Sequence, residues 1–190
     1  MRRIFVGIPI SEEVKREILN WEQNFKFQIT NFKSDLENSI RWVAPKNLHV
    51  TLVPPWRAKE LKVESEKLKE IKFQPFEIKF DNISFGPNIR EPRMIWATGQ
   101  AGEEIKKLKK LIEIALIENV DYTRGRAYNQ HVTLARVKEL PPALSLAKRG
   151  ELAVVDWRQT VKSFVLYESH LSPQGADYEV LERLEFKQTD

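Results

Sequence analysis

The sequence contains no cysteine. Disulfides, thiolate metal sites and a cysteine nucleophile are therefore excluded, and the compartment expected is a reducing cytoplasm. No apolar run approaches the length that crosses a bilayer. The opening stretch from Met1 to Ile10 is basic and then apolar, but it is short and lacks a small-residue cleavage site, so it reads as a first strand. Charge of one sign is also missing: 31 basic against 27 acidic residues leave a net charge of only +4, which permits an anionic ligand without demanding one. Histidine is scarce, with three in the chain.

What is present is the composition of a water-soluble globular chain, 42% hydrophobic and 31% charged. A length of 190 residues suffices for one domain over 1–190, either a single core or two small lobes sharing an interface. Arg2 to Ile10 is rich in β-formers, and Ser11 followed by Glu12 and Glu13 signals a helix start, with the helix running to about Phe27. Gln28 to Ser39 reads as a loop and Ile40 to Ala44 as a short strand. Leu48 to Val53 alternates like a half-buried strand, with Pro54-Pro55 expected to stop it. A charged helix is expected from about Ala58 to Lys72, and a hairpin from Pro75 to Phe85 and Met94 to Thr98. Ile105, Leu108, Leu111, Ile112 and Ala115 recur at helical spacing within Gly102 to Asn119. Asn129 to Val137, Val161 to Glu168 and Tyr178 to Phe186 read as strands, with a loop and a short helical turn after Pro141-Pro142.

One pattern occurs in both halves: His49-Val50-Thr51-Leu52 and His131-Val132-Thr133-Leu134. Thr at +2 and Leu at +3 should follow a given His roughly once in two hundred times, so two coincidences among so few histidines are not chance. Side chains alternate along a strand, so each motif sends an imidazole and a hydroxyl to one face and two apolar residues to the other. Lobes that face each other would bring two imidazoles and two hydroxyls into one cleft. Imidazole is the side chain of which one copy can be neutral and another protonated near neutral pH. Threonine hydroxyls donate to phosphoryl oxygens. Such a set suits phosphodiester hydrolysis. Threonine is a poor ligand and two imidazoles are too few to close a typical metal site, so neither metal nor other cofactor is expected.

The paired motifs and their surroundings resemble the 2H phosphoesterase superfamily, in particular the RNA 2′,3′-cyclic phosphodiesterase family long labelled 2′-5′ RNA ligase. The likeness takes in Arg3-Ile4-Phe5-Val6, Arg41-Trp42-Val43, Pro45-Lys46-Asn47-Leu48, Phe85-Gly86-Pro87, Pro92-Arg93-Met94-Ile95-Trp96, Leu134-Ala135-Arg136, Leu166-Tyr167-Glu168-Ser169 and Gly175-Ala176-Asp177-Tyr178. It implies an α+β bilobal fold: two pseudo-symmetric lobes with antiparallel sheets, flanked by helices, around a central cleft. It further implies that RNA 2′,3′-cyclic phosphate ends are opened to a 2′-phosphate, with His49 as proton donor, His131 as base for water, and Thr51 and Thr133 on the phosphate. Two departures bear on the cleft rim: Val53-Pro54-Pro55-Trp56 replaces a usual Phe-Leu-Gly turn, and Gln130 replaces a usual Pro.

Weaker candidates surround this core. Arg136, five residues after His131, reaches the same face only through a bulge or strand end, and is either a phosphate contact or a structural ion pair. Trp56 and Tyr128 either stack a terminal base or simply pack. Arg93, Arg124, Arg126 and Lys46 either follow an RNA backbone or are solvated, and His170, without a Thr partner, reads as a surface residue. The function expected is cyclic phosphodiester hydrolysis on RNA ends by a monomer away from membranes. The alternatives are a related enzyme of small cyclic nucleotides, a 2′-5′ RNA ligase, and an RNA-binding module without turnover.

Overall fold

The computed structural model describes residues 2–30, 39–88, 91–116, 128–138, 151–172 and 175–186. Expectations for the Gln28 to Ser39 loop and the Pro141-Pro142 segment lie wholly or largely outside these residues, as do Arg124 and Arg126.

The elements run β1 (Arg3–Pro9), α1 (Glu12–Thr30), β2 (Ile40–Trp42), a 3-10 turn (Pro45–Asn47), β3 (His49–Arg57), α2 (Leu61–Lys69), β4 (Phe76–Gly86), β5 (Met94–Thr98), α3 (Glu103–Ala115), β6 (His131–Val137), β7 (Glu151–Val161), β8 (Ser163–Ser172) and β9 (Gly175–Glu185). The nine strands form one antiparallel sheet in the order β7-β4-β5-β6-β3-β1-β8-β9, with β2 beside β6. The fold is α+β, as expected, but the two expected sheets are a single open one. Its halves, β7-β4-β5-β6 and β3-β1-β8-β9, meet where β3 pairs with β6 at Val50↔Val132.

Alternation along β1 shows how the sheet is loaded. Ile4, Val6 and Ile8 enter the main core, which also holds Val14, Ile18 and Phe25 of α1 and Ile105, Leu108 and Ile112 of α3. Phe5 points the other way and joins Val165, Tyr167 and Tyr178 in a small aromatic cluster. Helices cover one face of the sheet, and the opposite face is left for the cleft. No helix among the described residues is long and apolar enough to cross a membrane.

Two expectations need correction. Pro54-Pro55 does not end β3, because the β1–β3 register slips between Val6↔Val53 and Ile4↔Trp56, and both prolines sit exposed at that irregularity, where no ladder hydrogen bond requires an N–H. The last third of the chain holds a further strand, β7, where only Val161 was expected to be extended. Its inward residues are Trp157, Gln159 and Val161, and the polar Gln159 masks the alternation. That side chain is buried because it accepts from the Ser11 N–H (2.8 Å) and donates to the Pro9 carbonyl (3.0 Å), tying β7 to the start of α1.

Gln130 has a comparable role. Its side-chain amide donates to the Lys79 carbonyl at 2.8 Å, at the point where Gly99 crosses β4. A Cβ on Gly99 would lie 1.9 Å from that same carbonyl oxygen, so the crossing excludes any side chain. Gly99→Ala should cost about 2 kcal/mol or more in urea unfolding, an overpacking penalty against rigid backbone. An unchanged midpoint would show that the crossing is not this tight.

Candidate active site

The two motif strands carry the same internal structure. Exposure runs half-buried, buried, half-buried, buried, buried, exposed from His49 to Pro54 and again from His131 to Arg136. In both strands the register skips one residue after the threonine: Gly7↔Thr51 is followed by Val6↔Val53, and Trp96↔Thr133 by Ile95↔Ala135. Leu52 and Leu134 are the extra residues of two β-bulges. The second bulge is the device needed to turn Arg136 onto the face of His131 and Thr133. Around Val50↔Val132, continuation of the antiparallel register sets His49 across from Thr133, and Thr51 across from His131.

Each imidazole is held from behind in the same way. His49 Nδ1 lies 2.7 Å from the Asn47 carbonyl oxygen, and His131 Nδ1 lies 2.9 Å from that of Asn129. A carbonyl can only accept, so both Nδ1 atoms carry the proton and both Nε2 atoms are left to act as base or, once protonated, as acid. The motif therefore extends two residues toward the N-terminus as Asn-x-His-Val-Thr-Leu. That repeat was readable in the sequence and went unused.

The surroundings of the two rings differ. Opposite Thr51 stands Gly7, whose missing side chain makes room: a Cβ there would lie 3.2 Å from His49 Cδ2 and 3.0 Å from the Val50 carbonyl oxygen. Phe5, Tyr178 and Tyr167 close around His49 at ring separations of 4.8, 5.1 and 5.9 Å. Opposite Thr133 stands Trp96, whose ring backs His131 at 4.2 Å and itself needs the bare Cα of Gly86. Burial pushes the His49 imidazole down to about 4, opposed by its bond to Asn47 and reinforced by the nearby charge of His131. Burial also lowers His131, against its bond to Asn129.

A cleft of about 650 Å³ opens over these strands, lined by His49, Thr51, Thr133 and Arg136 together with Arg3, Phe5, Arg41, Asn47 and Tyr178. Among the described residues, no carboxylate lines it. Arg3, also held by Ser169 Oγ at 3.0 Å, and Arg41 are site cations that carried no motif signal. His131 stands at the margin, next to Thr51 by register.

The base-stacking expectation fails for both aromatic candidates. Trp56 is 7% exposed and belongs to the helix-side core, because the strand's irregularity returns it to the inner face. Tyr128 packs against the core and donates its hydroxyl to the Thr51 carbonyl at 3.2 Å, so it braces the motif strand, and burial raises its pKa. Lys46 is paired with Asp177 at 2.7 Å, and Arg93 is exposed outside the cleft lining. His170 is exposed as expected and lies 3.2 Å from Glu179. With Glu168 it forms a cluster whose ligand atoms lie within 4.8 Å, but Arg2 Nε already sits 3.1 Å from Glu168 Oε2.

Two histidine–threonine strands paired at the centre of one antiparallel sheet define a phosphoesterase of the 2H type. The LigT-like phosphoesterase family model matches residues 8–96. The RNA 2′,3′-cyclic phosphodiesterase of Methanocaldococcus jannaschii is 32% identical over 187 residues, covering 94% of this chain and 98% of that protein. Two solved structures share the fold. A phosphoesterase-fold protein of Thermus thermophilus, TT0787, has a TM-score of 0.75 at 24% identity and 97% coverage of both chains. E. coli LigT complexed with 3′-AMP has a TM-score of 0.73 at 21% identity, covering 98% of this chain and 99% of that one. The chain belongs to the LigT-like phosphoesterase family of the 2H superfamily.

The buried imidazole makes stability depend on pH. His49 titrates near 4 when folded against an ordinary 6.5, so below pH 6.5 the unfolded chain takes up a proton that the folded chain refuses. Stability is full above that value and falls through the window down to about 4, by about 3 kcal/mol at its end, with His131 adding in the same direction. Urea unfolding of wild type and His49→Gln between pH 7.5 and 4 should show a shallower decline in the variant. Parallel declines would place the acid sensitivity elsewhere.

Proposed function

We propose that this chain hydrolyses RNA terminal 2′,3′-cyclic phosphate to a 2′-phosphate by paired-histidine acid–base catalysis. The observation that carries the reading is the duplicated Nδ1–H bond to an asparagine carbonyl, which leaves two Nε2 atoms available over one carboxylate-free cleft. The name of the Methanocaldococcus jannaschii relative supports the substrate. The two halves of the sheet act as one bilobal unit, because each supplies one imidazole and one hydroxyl.

In this reading Thr51 and Thr133 donate to the non-bridging oxygens, with Arg136 nearby. His131 Nε2 removes a proton from water as its oxygen attacks phosphorus. The P–O3′ bond breaks, and His49 Nε2–H protonates the departing O3′. The products are a 2′-phosphate and a free 3′ hydroxyl, and proton exchange with solvent resets both rings. The roles come from the family likeness, and the surroundings support them. An imidazolium in the Phe5–Tyr167–Tyr178 box is shielded from water, so it is a strong acid, and the anionic phosphate draws the proton onto it only when substrate is bound. The donor set, two imidazoles and two hydroxyls, is a poor one for a metal, so the reaction is assigned none.

His49→Ala and His131→Ala should each lower turnover of an oligonucleotide cyclic phosphate by about 10²–10⁴-fold while the far-ultraviolet circular dichroism is retained. A nitrophenyl phosphodiester, whose leaving group needs no proton, should restore much of the loss in His49→Ala and little in His131→Ala. Rescue of His131→Ala alone would exchange the roles, and wild-type activity in either variant on the RNA end would end the paired mechanism.

Free and substrate-bound cleft should also differ in pH dependence. Both imidazoles are lowered in the free protein, so the bell for kcat/KM should centre below the ordinary histidine value, and the bell for kcat should move to higher pH as the phosphate's charge favours imidazolium. Coincident bells would show that the substrate does not set the proton on the acid.

A further inference from the structure

Resting on the phosphodiesterase reading, the cleft holds more positive charge than one phosphate requires. Three guanidinium groups line it, those of Arg3, Arg41 and Arg136, and no carboxylate does among the described residues, although the whole chain is nearly balanced. Arg41 of β2 and Arg136 of β6 are directly opposed in the antiparallel ladder, so their side chains leave the same face. Like charges placed directly opposite each other destabilise a sheet, and an anion between or beside them turns that cost into attraction.

Arg41 is also placed across the cleft. It stands on the β6 side, yet its Nη1 would be 3.3 Å from a Cβ on Gly175, at the start of β9 in the other half. Gly175 has φ +127°, a conformation that side-chain-bearing residues rarely adopt, so the hairpin presents bare backbone to the guanidinium. Along β6, Arg136 is three residues past Thr133, and one of these is absorbed by the bulge at Leu134. At about 3.3 Å per residue the arginine pair stands roughly 7 Å from the threonine assigned to the reacting phosphate. That spacing suits the next phosphate of a sugar–phosphate chain.

We propose that Arg41, seated against Gly175 and opposite Arg136, forms a second phosphate subsite that takes the phosphodiester on the 5′ side of the terminal nucleotide. The enzyme therefore selects RNA ends over isolated nucleoside cyclic phosphates. A phosphate contact of this kind positions the chain without reading its sequence.

The test compares kcat/KM for adenosine 2′,3′-cyclic phosphate, for the adenosine dinucleotide ending in the same cyclic phosphate, and for that dinucleotide with a neutral methylphosphonate linkage. Wild type should prefer the charged dinucleotide to the mononucleotide by about tenfold or more, the scale of one charge-assisted phosphate contact. Arg41→Ala should erase most of this ratio, Arg41→Lys should keep part of it, and the salt dependence of the dinucleotide reaction should fall by about one unit of slope. The methylphosphonate should cost wild type as much as the mutation does, and should cost Arg41→Ala nothing further. A ratio unchanged in Arg41→Ala, or an equal loss on all three substrates, would overturn the subsite. Hydrolysis of none of them by wild type would instead overturn the phosphodiesterase reading beneath it.

Discussion

Backbone pairing between Val50 and Val132 is the constraint on which the rest of the site depends. It joins the two four-stranded halves of the sheet at one point of near-symmetry, and both valines are fully buried on the helix side. With those two residues turned inward, alternation turns His49, Thr51, His131 and Thr133 outward together. The antiparallel register then places each imidazole beside the hydroxyl of the other half. A slip of one residue would send all four polar groups into the core, so burial of the valines and exposure of the chemistry are one requirement. The bulges at Leu52 and Leu134 end the strict alternation just past the motifs, giving Arg136 the cleft face and Pro54 the corresponding place in the other strand.

Near-symmetry supplies two equal imidazoles, and the residues behind them make the pair unequal. Gly7 and Trp96 hold corresponding positions, each opposite a motif threonine. The glycine admits His49 to a box of three aromatic rings, and the tryptophan gives His131 a single ring and a more open edge. Both histidines are biased toward the neutral form, His49 more strongly. A cleft without carboxylates and with three arginines is then ready for an anion that brings its own means of protonating the acid. Arg41 extends the same logic from one phosphate to two, because its position over Gly175 spans the halves as the histidine pair does.

Much of this was legible in the sequence because it was written locally and twice. The two His-Val-Thr-Leu strings, the alternation around them and the amphipathic spacing of Ile105, Leu108 and Ile112 each depend on a few neighbouring residues. The α+β class and the need for a bulge before Arg136 followed from the same reasoning. Long-range features were not legible. Trp56 and Tyr128 look like stacking platforms by proximity in sequence, yet register irregularity turns one into the core and the Thr51 carbonyl engages the other. β7 was hidden by Gln159, whose partners Ser11 and Pro9 lie about one hundred and fifty residues away. Arg3 and Arg41 reach the cleft through strand order alone, which no local pattern reports.

The central claim is that both rings wait neutral with Nε2 free, and that the anionic substrate supplies the condition for protonating one of them. Nitrogen-15 NMR of the histidine side chains at pH 7 measures this directly, first on the free protein and then on its complex with a nucleoside 2′-phosphate. The account predicts that His49 and His131 both show the neutral Nδ1–H form when free, and that on binding the His49 signals move to those of an imidazolium. An Nε2–H tautomer in the free protein, or a bound complex in which His49 stays neutral, would contradict it.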